Sequence, residues 1–75
     1  MTKIEFLKLL KKHNINENLV VFDDTAKDGY CVRTNYYRWE VFCRERGKEY
    51  NYVGFPSEST ALQYLYGELC HLYVK

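Results

Sequence analysis

The stretch that decides the fold is Trp39-Glu40-Val41-Phe42-Cys43-Arg44-Glu45-Arg46-Gly47-Lys48. Its side chains alternate between two sets, the first being Trp39, Val41 and Cys43 and the second Glu40, Phe42 and Arg44. A period of two is typical of a β-strand, because successive side chains of a strand point to opposite faces. Gly47 can adopt the positive φ that a tight hairpin turn needs. We therefore predict a central strand, a turn, and a return strand over residues 49–55.

The length of the turn decides which side chains share a face. If Arg46 and Gly47 are the two loop residues, Cys43 lies opposite Tyr50 and Val41 lies opposite Tyr52. The predicted core face then consists of Trp39, Val41, Cys43, Tyr50 and Tyr52. The other face carries Glu40, Phe42, Arg44, Glu49, Asn51 and Val53. A three-residue loop would shift this register by one residue, and we prefer the two-residue loop because it collects the large apolar residues together.

Two helices are predicted outside these strands. The first runs from Thr2 to His13 and begins with a capping box formed by Thr2 and Glu5. The second begins after Ser57, a strong N-cap, and its predicted buried stripe is Ala61, Leu62, Leu65, Leu69 and Leu72. The apolar residues 19–22 and the β-formers 30–34 predict further strands, with 19–22 at an edge.

The predicted fold class is α+β, with the order helix, three- or four-stranded antiparallel sheet, helix, in a single domain of residues 1–75. We expect both helices on one sheet face, which leaves the other face open. The chain of 75 residues has 47% hydrophobic and 17% aromatic residues, which favours a folded domain over a disordered one.

Charge and cysteine content restrict the environment and the partners. Eleven basic and ten acidic residues give a net charge of +1, so no global field steers the chain to nucleic acid or to an anionic membrane. Three widely spaced cysteines are not a disulfide framework, and we expect reduced thiols and a cytoplasmic protein. The first residues lack a long apolar run, so we expect no signal peptide. No segment reaches the roughly 18 apolar residues of a spanning helix.

The residues that could carry catalysis or bind a metal are few: Cys31, Cys43, Cys70, His13 and His71. Cys43 is predicted to face the core, where thiols are inert. Cys70 and His71 are neighbours on a helix, so their side chains diverge. None of these residues forms the closely spaced pairs of a zinc site. We therefore expect no enzyme, no cofactor and no metal.

The open sheet face is the best candidate for binding. Phe42 and Val53 are predicted to lie exposed there among Glu40, Arg44 and Glu49, and an apolar centre rimmed by charges is typical of a protein–protein site. A second copy of the chain could also cover this face. A nucleic-acid platform is the alternative, built from Tyr36, Tyr37, Arg38, Arg44 and Arg46. The acidic Glu40, Glu45 and Glu49 interrupt that positive field, and the RNP consensus is absent.

A set of short motifs adds a family resemblance. In chain order they are Gly29-Tyr30-Cys31-Val32, Trp39-Glu40-Val41-Phe42, Glu45-Arg46-Gly47, Phe55, Ser57-Glu58, Ala61 and Tyr64-Leu65. This pattern resembles a group of small bacterial immunity proteins that are encoded beside polymorphic or contact-dependent toxins. The resemblance covers the chain from Gly29 to Leu69, and each motif alone would be weak.

The resemblance implies a non-enzymatic cytoplasmic inhibitor that binds the C-terminal domain of one cognate toxin, often a nuclease, and blocks its active site or substrate surface. Global mimicry of nucleic acid is not implied, because the chain is not strongly acidic. The candidate partner-binding residues are Asp23, Asp24, Asp28, Tyr37, Glu40, Phe42, Arg44, Glu45 and Glu49. The aspartates 23, 24 and 28 are also ordinary turn residues. The alternatives are a small nucleic-acid-binding regulator or a homodimeric accessory protein.

Overall fold

A computed structural model describes residues 1–22 and 27–74. Its elements are α1 (Lys3–Lys12), a short 3-10 helix (Glu17–Leu19), β1 (Val20–Phe22), β2 (Gly29–Asn35), β3 (Arg38–Glu45), β4 (Lys48–Phe55) and α2 (Glu58–Tyr73). The strands form one sheet in the order β1-β2-β3-β4. The predicted α+β fold is therefore confirmed, with β1 at one edge and β3 inside the sheet.

The sheet is mixed rather than wholly antiparallel. β2, β3 and β4 pair antiparallel, as predicted. β1 pairs parallel with β2. Gly29, the first residue of β2, lies so close to the residue before β1 that a Cβ there would be 2.7 Å from the Leu19 carbonyl oxygen. In this register Val20 and Phe22 share a face with Tyr30 and Val32.

Local capping chemistry sets the ends of both helices. The Thr2 side chain accepts a hydrogen bond from the Glu5 N–H, and the Glu5 carboxylate accepts one from the Thr2 N–H. Ser57 Oγ accepts from the Thr60 N–H at 3.2 Å. Asn14, with φ of 57°, turns the chain after α1. The predicted caps are confirmed.

Both helices pack on one face of the sheet, as predicted. The buried core is formed by Phe6, Leu10, Ile15, Val20, Val32, Val41, Ala61, Leu62, Leu65 and Leu69. Trp39 and Phe55 are half-buried at its margin. Leu72 was predicted to be buried, but it is 53% exposed, because the stripe of α2 continues beyond this core.

The β3–β4 pairing follows the predicted two-residue turn and then changes register. Arg46 and Gly47 have φ of 52° and 80°, and Cys43 lies opposite Tyr50. Val41, however, lies opposite Val53. An extra residue in β4 makes a β-bulge at Asn51, whose φ is 59°.

The bulge exchanges the faces of two side chains. Tyr52 lies on the open face, where its ring stacks on Phe42, and Val53 lies opposite Val41 on the helix side. The predicted faces of Tyr52 and Val53 were therefore wrong.

Candidate functional site

The open face contains a second, small core. Phe42 is only 2% exposed and packs with Val21 and Cys31. Cys31 lies opposite Phe42 in the β2–β3 register, and the Tyr52 ring stacks on Phe42 with centroids 5.0 Å apart. The prediction that Phe42 is an exposed centre was therefore wrong, because neighbouring strands supply side chains that cover it.

Two arginines complete the cover over Phe42. The Arg33 guanidinium carbon lies 4.4 Å from the centre of the ring, and that of Arg44 lies 5.5 Å from it. Both distances are within the range of cation–π attraction. Arg44 is itself buried, so its charge needs partners.

Glutamates supply those partners. Arg33 Nε lies 3.2 Å from Glu40 Oε1, and Arg33 Nη1 lies 3.6 Å from Glu49 Oε2. Arg44 Nη2 lies 2.5 Å from the same Glu49 oxygen. We call these four residues, Arg33, Glu40, Arg44 and Glu49, the arginine–glutamate lattice. It has two positive and two negative groups and so adds no net charge to the face.

Hydrogen bonding sets the protonation states on this face. The Tyr52 hydroxyl donates to Glu49. This bond, followed by the one from Arg44, lowers the pKa of Glu49 below its ordinary value. The same bond raises the pKa of Tyr52. Burial raises the pKa of Cys31, so its thiol stays protonated and is a poor nucleophile.

The candidate partner-binding residues do not form one patch. Glu40, Arg44 and Glu49 belong to the lattice, above Phe42. Asp28 and Glu45 lie at the β3–β4 turn, where Asp28 Oδ2 accepts from the Arg46 N–H at 3.1 Å. Tyr37 lies in the β2–β3 turn at the other end of β3. The predicted residues Asp23 and Asp24 lie outside the described residues.

The β2–β3 turn presents two aromatic side chains to solvent. Asn35 pairs with Arg38, so Tyr36 and Tyr37 are the two turn residues. Each of these tyrosines is 95% exposed. Tyr36 has φ of 58°, a conformation that costs a residue with a Cβ roughly 1–2 kcal/mol. We call Tyr36 and Tyr37 the hairpin tip.

The alternative nucleic-acid platform is divided by this geometry. Arg46 lies in the turn at the far end of β3 from the hairpin tip, and the eight residues of β3 between them span about 26 Å. Arg44 is buried and paired with Glu49. Only Arg38 directly follows the two tyrosines, and its guanidinium lies over Gly54.

Sequence reasoning missed Arg33 and Tyr52. The pairing of Arg33 with Glu40 could have been predicted, because a two-residue turn at Tyr36 and Tyr37 places Arg33 opposite Glu40. The signal for Tyr52 was Asn51, since asparagine is depleted in strands and tolerates positive φ. Such a residue in mid-strand indicates a bulge, which moves every later side chain to the opposite face.

The described residues offer none of the usual arrangements of metal ligands, nucleophiles or membrane anchors. Within residues 1–22 and 27–74, no three His, Cys, Asp or Glu side chains lie close enough to hold a metal ion. Cys31, Cys43 and Cys70 are free thiols. No helix in these two ranges is long and apolar enough to cross a membrane.

Comparison with known proteins finds no matching family model, no matching curated protein and no matching solved structure. The resemblance to immunity proteins therefore stays a prediction from the residue pattern. What the geometry adds is a rigid charged sheet face with an exposed aromatic turn at its end.

Proposed function

We propose that this chain is a cytoplasmic immunity protein that binds the C-terminal domain of a cognate bacterial toxin and occludes its active site or substrate surface. The single observation that supports this proposal best is the hairpin tip. Two fully exposed tyrosines in a turn with positive φ are costly for the isolated chain, and such strain is concentrated at functional sites. Tyrosine is also among the residues that dominate protein–protein binding energy.

The tip and the lattice have different roles in this mechanism. Tyr37 and Tyr36 insert into a concave surface of the toxin and supply most of the buried apolar area. Glu40 and Glu49 are held in position by their pairs with Arg33 and Arg44, so they present a defined pattern of charge without reorganising. Patterned charge supplies specificity and a fast association rate more than affinity.

The burial of Phe42 changes which residue anchors the complex. Phe42 cannot reach a partner without displacing Arg33 and Tyr52. Tyr37, the other aromatic among the predicted partner-binding residues, is accessible and takes the role of anchor. Charge reversal at Glu40 or Glu49 would place a lysine beside Arg33 or Arg44, so such variants perturb folding as well as binding.

The test is co-expression with the C-terminal domain encoded by the gene immediately upstream. We expect a stable complex that abolishes the toxicity of that domain. The variant Tyr36→Asn/Tyr37→Ala should remain folded, because asparagine tolerates positive φ. Its affinity for the toxin domain should fall by at least about 30-fold, the loss of one hot spot of roughly 2 kcal/mol.

A matched control is available at the other hairpin. Arg46→Asn makes the same kind of turn substitution in the β3–β4 turn and should leave the affinity unchanged. A complex with full affinity in the Tyr36/Tyr37 double variant would move the interface elsewhere. An upstream domain that is harmless and forms no complex would refute the immunity function.

Base stacking on the hairpin tip is the second candidate function. Exposed aromatic rings stack single-stranded bases, and Arg38 follows them directly. In that case the wild-type chain would bind a single-stranded oligonucleotide with strong salt dependence. Binding to the toxin domain, without oligonucleotide binding, favours the immunity function.

A further inference from the structure

A groove lies between the sheet and the C-terminal half of α2, on the opposite side of the sheet from the lattice. The groove has a volume of about 550 Å³, and its lining includes Tyr30, Cys43, Tyr50, Asn51, Tyr64, Glu68 and Leu72. Asn51 is the bulge residue, and bulges are over-represented beside functional sites. The volume is in the range of specific ligand pockets.

Aromatic rings form much of the wall of this groove. Tyr50 and Tyr64 are both partly exposed there, as is Leu72 at the mouth. Phe55 packs against Tyr64, with ring centroids 5.1 Å apart, and so holds that ring in place. The Tyr50 hydroxyl donates to Glu45 Oε2 at 3.3 Å. The rings are therefore held by existing contacts while part of their surface stays open.

Cys43 lies among these groups, but its thiol is not activated. Burial, followed by the nearby charge of Glu68, raises the pKa of Cys43. Burial and its neighbour Tyr73 raise the pKa of Tyr30 to about 12. Both groups are therefore neutral at ordinary pH. This leaves the rings for recognition and Glu68 as the charged group of the groove.

Glu68 is an exposed acid of this groove, and its side chain is hydrogen-bonded to that of Tyr64. No basic side chain within residues 1–22 and 27–74 forms an ion pair with Glu68, whereas Glu40 and Glu49 on the other face are both paired with arginine. Glu68 also raises the pKa of Tyr64, behind the effect of burial, and the two residues lie one helical turn apart. A carboxylate beside tyrosine rings is complementary to a flat cation.

We infer that this groove binds an arginine side chain of a partner protein, with Tyr50 and Tyr64 against the guanidinium and Glu68 as its charge partner. The chain already makes such an arrangement internally, where Arg33 lies over Phe42 and pairs with Glu40. Arginine suits the groove better than lysine, because its planar group stacks on rings and can bond a carboxylate with two parallel hydrogen bonds. This inference does not depend on the immunity function, since the groove and the hairpin tip are separate surfaces.

The test is a titration of the isotope-labelled full chain, followed by NMR of its backbone amides. The probe is Nα-acetyl-arginine amide, and the matched control is Nα-acetyl-citrulline amide, which has nearly the same shape without the charge. We expect the arginine probe to shift the amide signals of Cys43, Tyr64 and Glu68. The citrulline probe should bind about twofold to fivefold more weakly, given the usual strength of an exposed cation–π contact.

Two variants distinguish recognition of the arginine charge from nonspecific binding of the probe. Glu68→Gln should weaken arginine binding by up to about fivefold, the upper end of the range of an exposed ion pair. Glu17→Gln removes the same charge from the short 3-10 helix, next to the opposite edge strand, and should change nothing. The amide spectrum of each free variant shows whether it is folded.

Two results would overturn the inference. One is equal binding of the arginine and citrulline probes, which would make the groove a neutral apolar site. The other is a set of shifts confined to the lattice face or unaffected by Glu68→Gln. Neither result bears on the complex with the toxin domain, which is tested through Tyr36 and Tyr37.

Discussion

The Arg33 guanidinium lies 4.4 Å from the centre of the Phe42 ring, on the sheet face that carries no helix. Arg33 also pairs with Glu40, its neighbour across the β2–β3 ladder. A charged side chain thus performs the covering role that helices perform on the other face. The centre of this face is therefore closed to water, while its outer surface is charged. Because the apolar centre is already covered, the four-stranded sheet needs no second layer of helices.

The first prediction concerns how much this small core contributes to the free energy of unfolding. Phe42→Ala should lower the free energy of unfolding by about 3–5 kcal/mol, the usual cost of deleting a buried aromatic ring. Tyr37→Ala, which removes an exposed ring, should stay within about 0.5 kcal/mol of the wild type. Urea denaturation of the two variants measures both. Equal small effects would mean that Phe42 is exposed in solution.

The second prediction concerns pH. The Tyr52 hydroxyl and Arg44 lower the pKa of Glu49 in the folded chain. Glu49 therefore contributes stability above the pKa of the unfolded carboxyl, and this contribution is lost as the pH falls through the lower folded pKa. Glu49→Gln should be less stable than the wild type near neutral pH, and the difference should shrink in acid.

Denaturation midpoints measured between about pH 7 and about pH 2.5 cover the titration of carboxyl groups. Glu17→Gln is the control, because it removes an exposed acid that lies away from the lattice. A difference between wild type and Glu49→Gln that stays constant over this pH range would contradict the assignment of Glu49 as a lattice member.

The third prediction concerns the β3–β4 turn. Both turn residues have positive φ, 52° at Arg46 and 80° at Gly47. Arg46→Asn should stabilise the fold by about 0.5 kcal/mol, because Asn-Gly is the preferred pair for such a turn. Gly47→Ala should destabilise it by about 1 kcal/mol, because alanine resists positive φ. Thermal unfolding of the two variants should give shifts of opposite sign.

The fourth prediction concerns α2. Gly67 lies within α2, and a Cβ at this position would meet nothing within 4 Å. Gly67→Ala should therefore stabilise the chain by about 1 kcal/mol through helix propensity alone. The control is Gln63→Ala, also at an exposed position of α2, which should gain only a few tenths of a kcal/mol. Loss of stability in Gly67→Ala would indicate a neighbour at this position.

Much of the fold could be predicted because its signals are local. The Thr2–Glu5 capping box, the Ser57 cap and the apolar stripe of α2 all depend on residues within a few positions of one another. The Arg46–Gly47 turn then fixed the pairing of Cys43 with Tyr50. Each of these features follows from backbone geometry that the nearby residue types favour or exclude.

The candidate site was predicted less well, because it depends on the bulge and on a strand pairing that residue types alone do not specify. One extra residue at Asn51 sent Tyr52 to the open face, where it covers Phe42 and bonds to Glu49. The β2–β3 register brought Arg33 beside Phe42 and Glu49.

The sequence by itself determined the helices, their caps, the hairpin turn and the α+β class. Only the tertiary structure decided the parallel pairing of β1, the face of Tyr52, the burial of Phe42 and the groove beside Glu68. The physical reason is that the first group rests on contacts within one turn or one hairpin. The second group depends on how separate strands align, where a shift of one residue exchanges the buried and exposed faces.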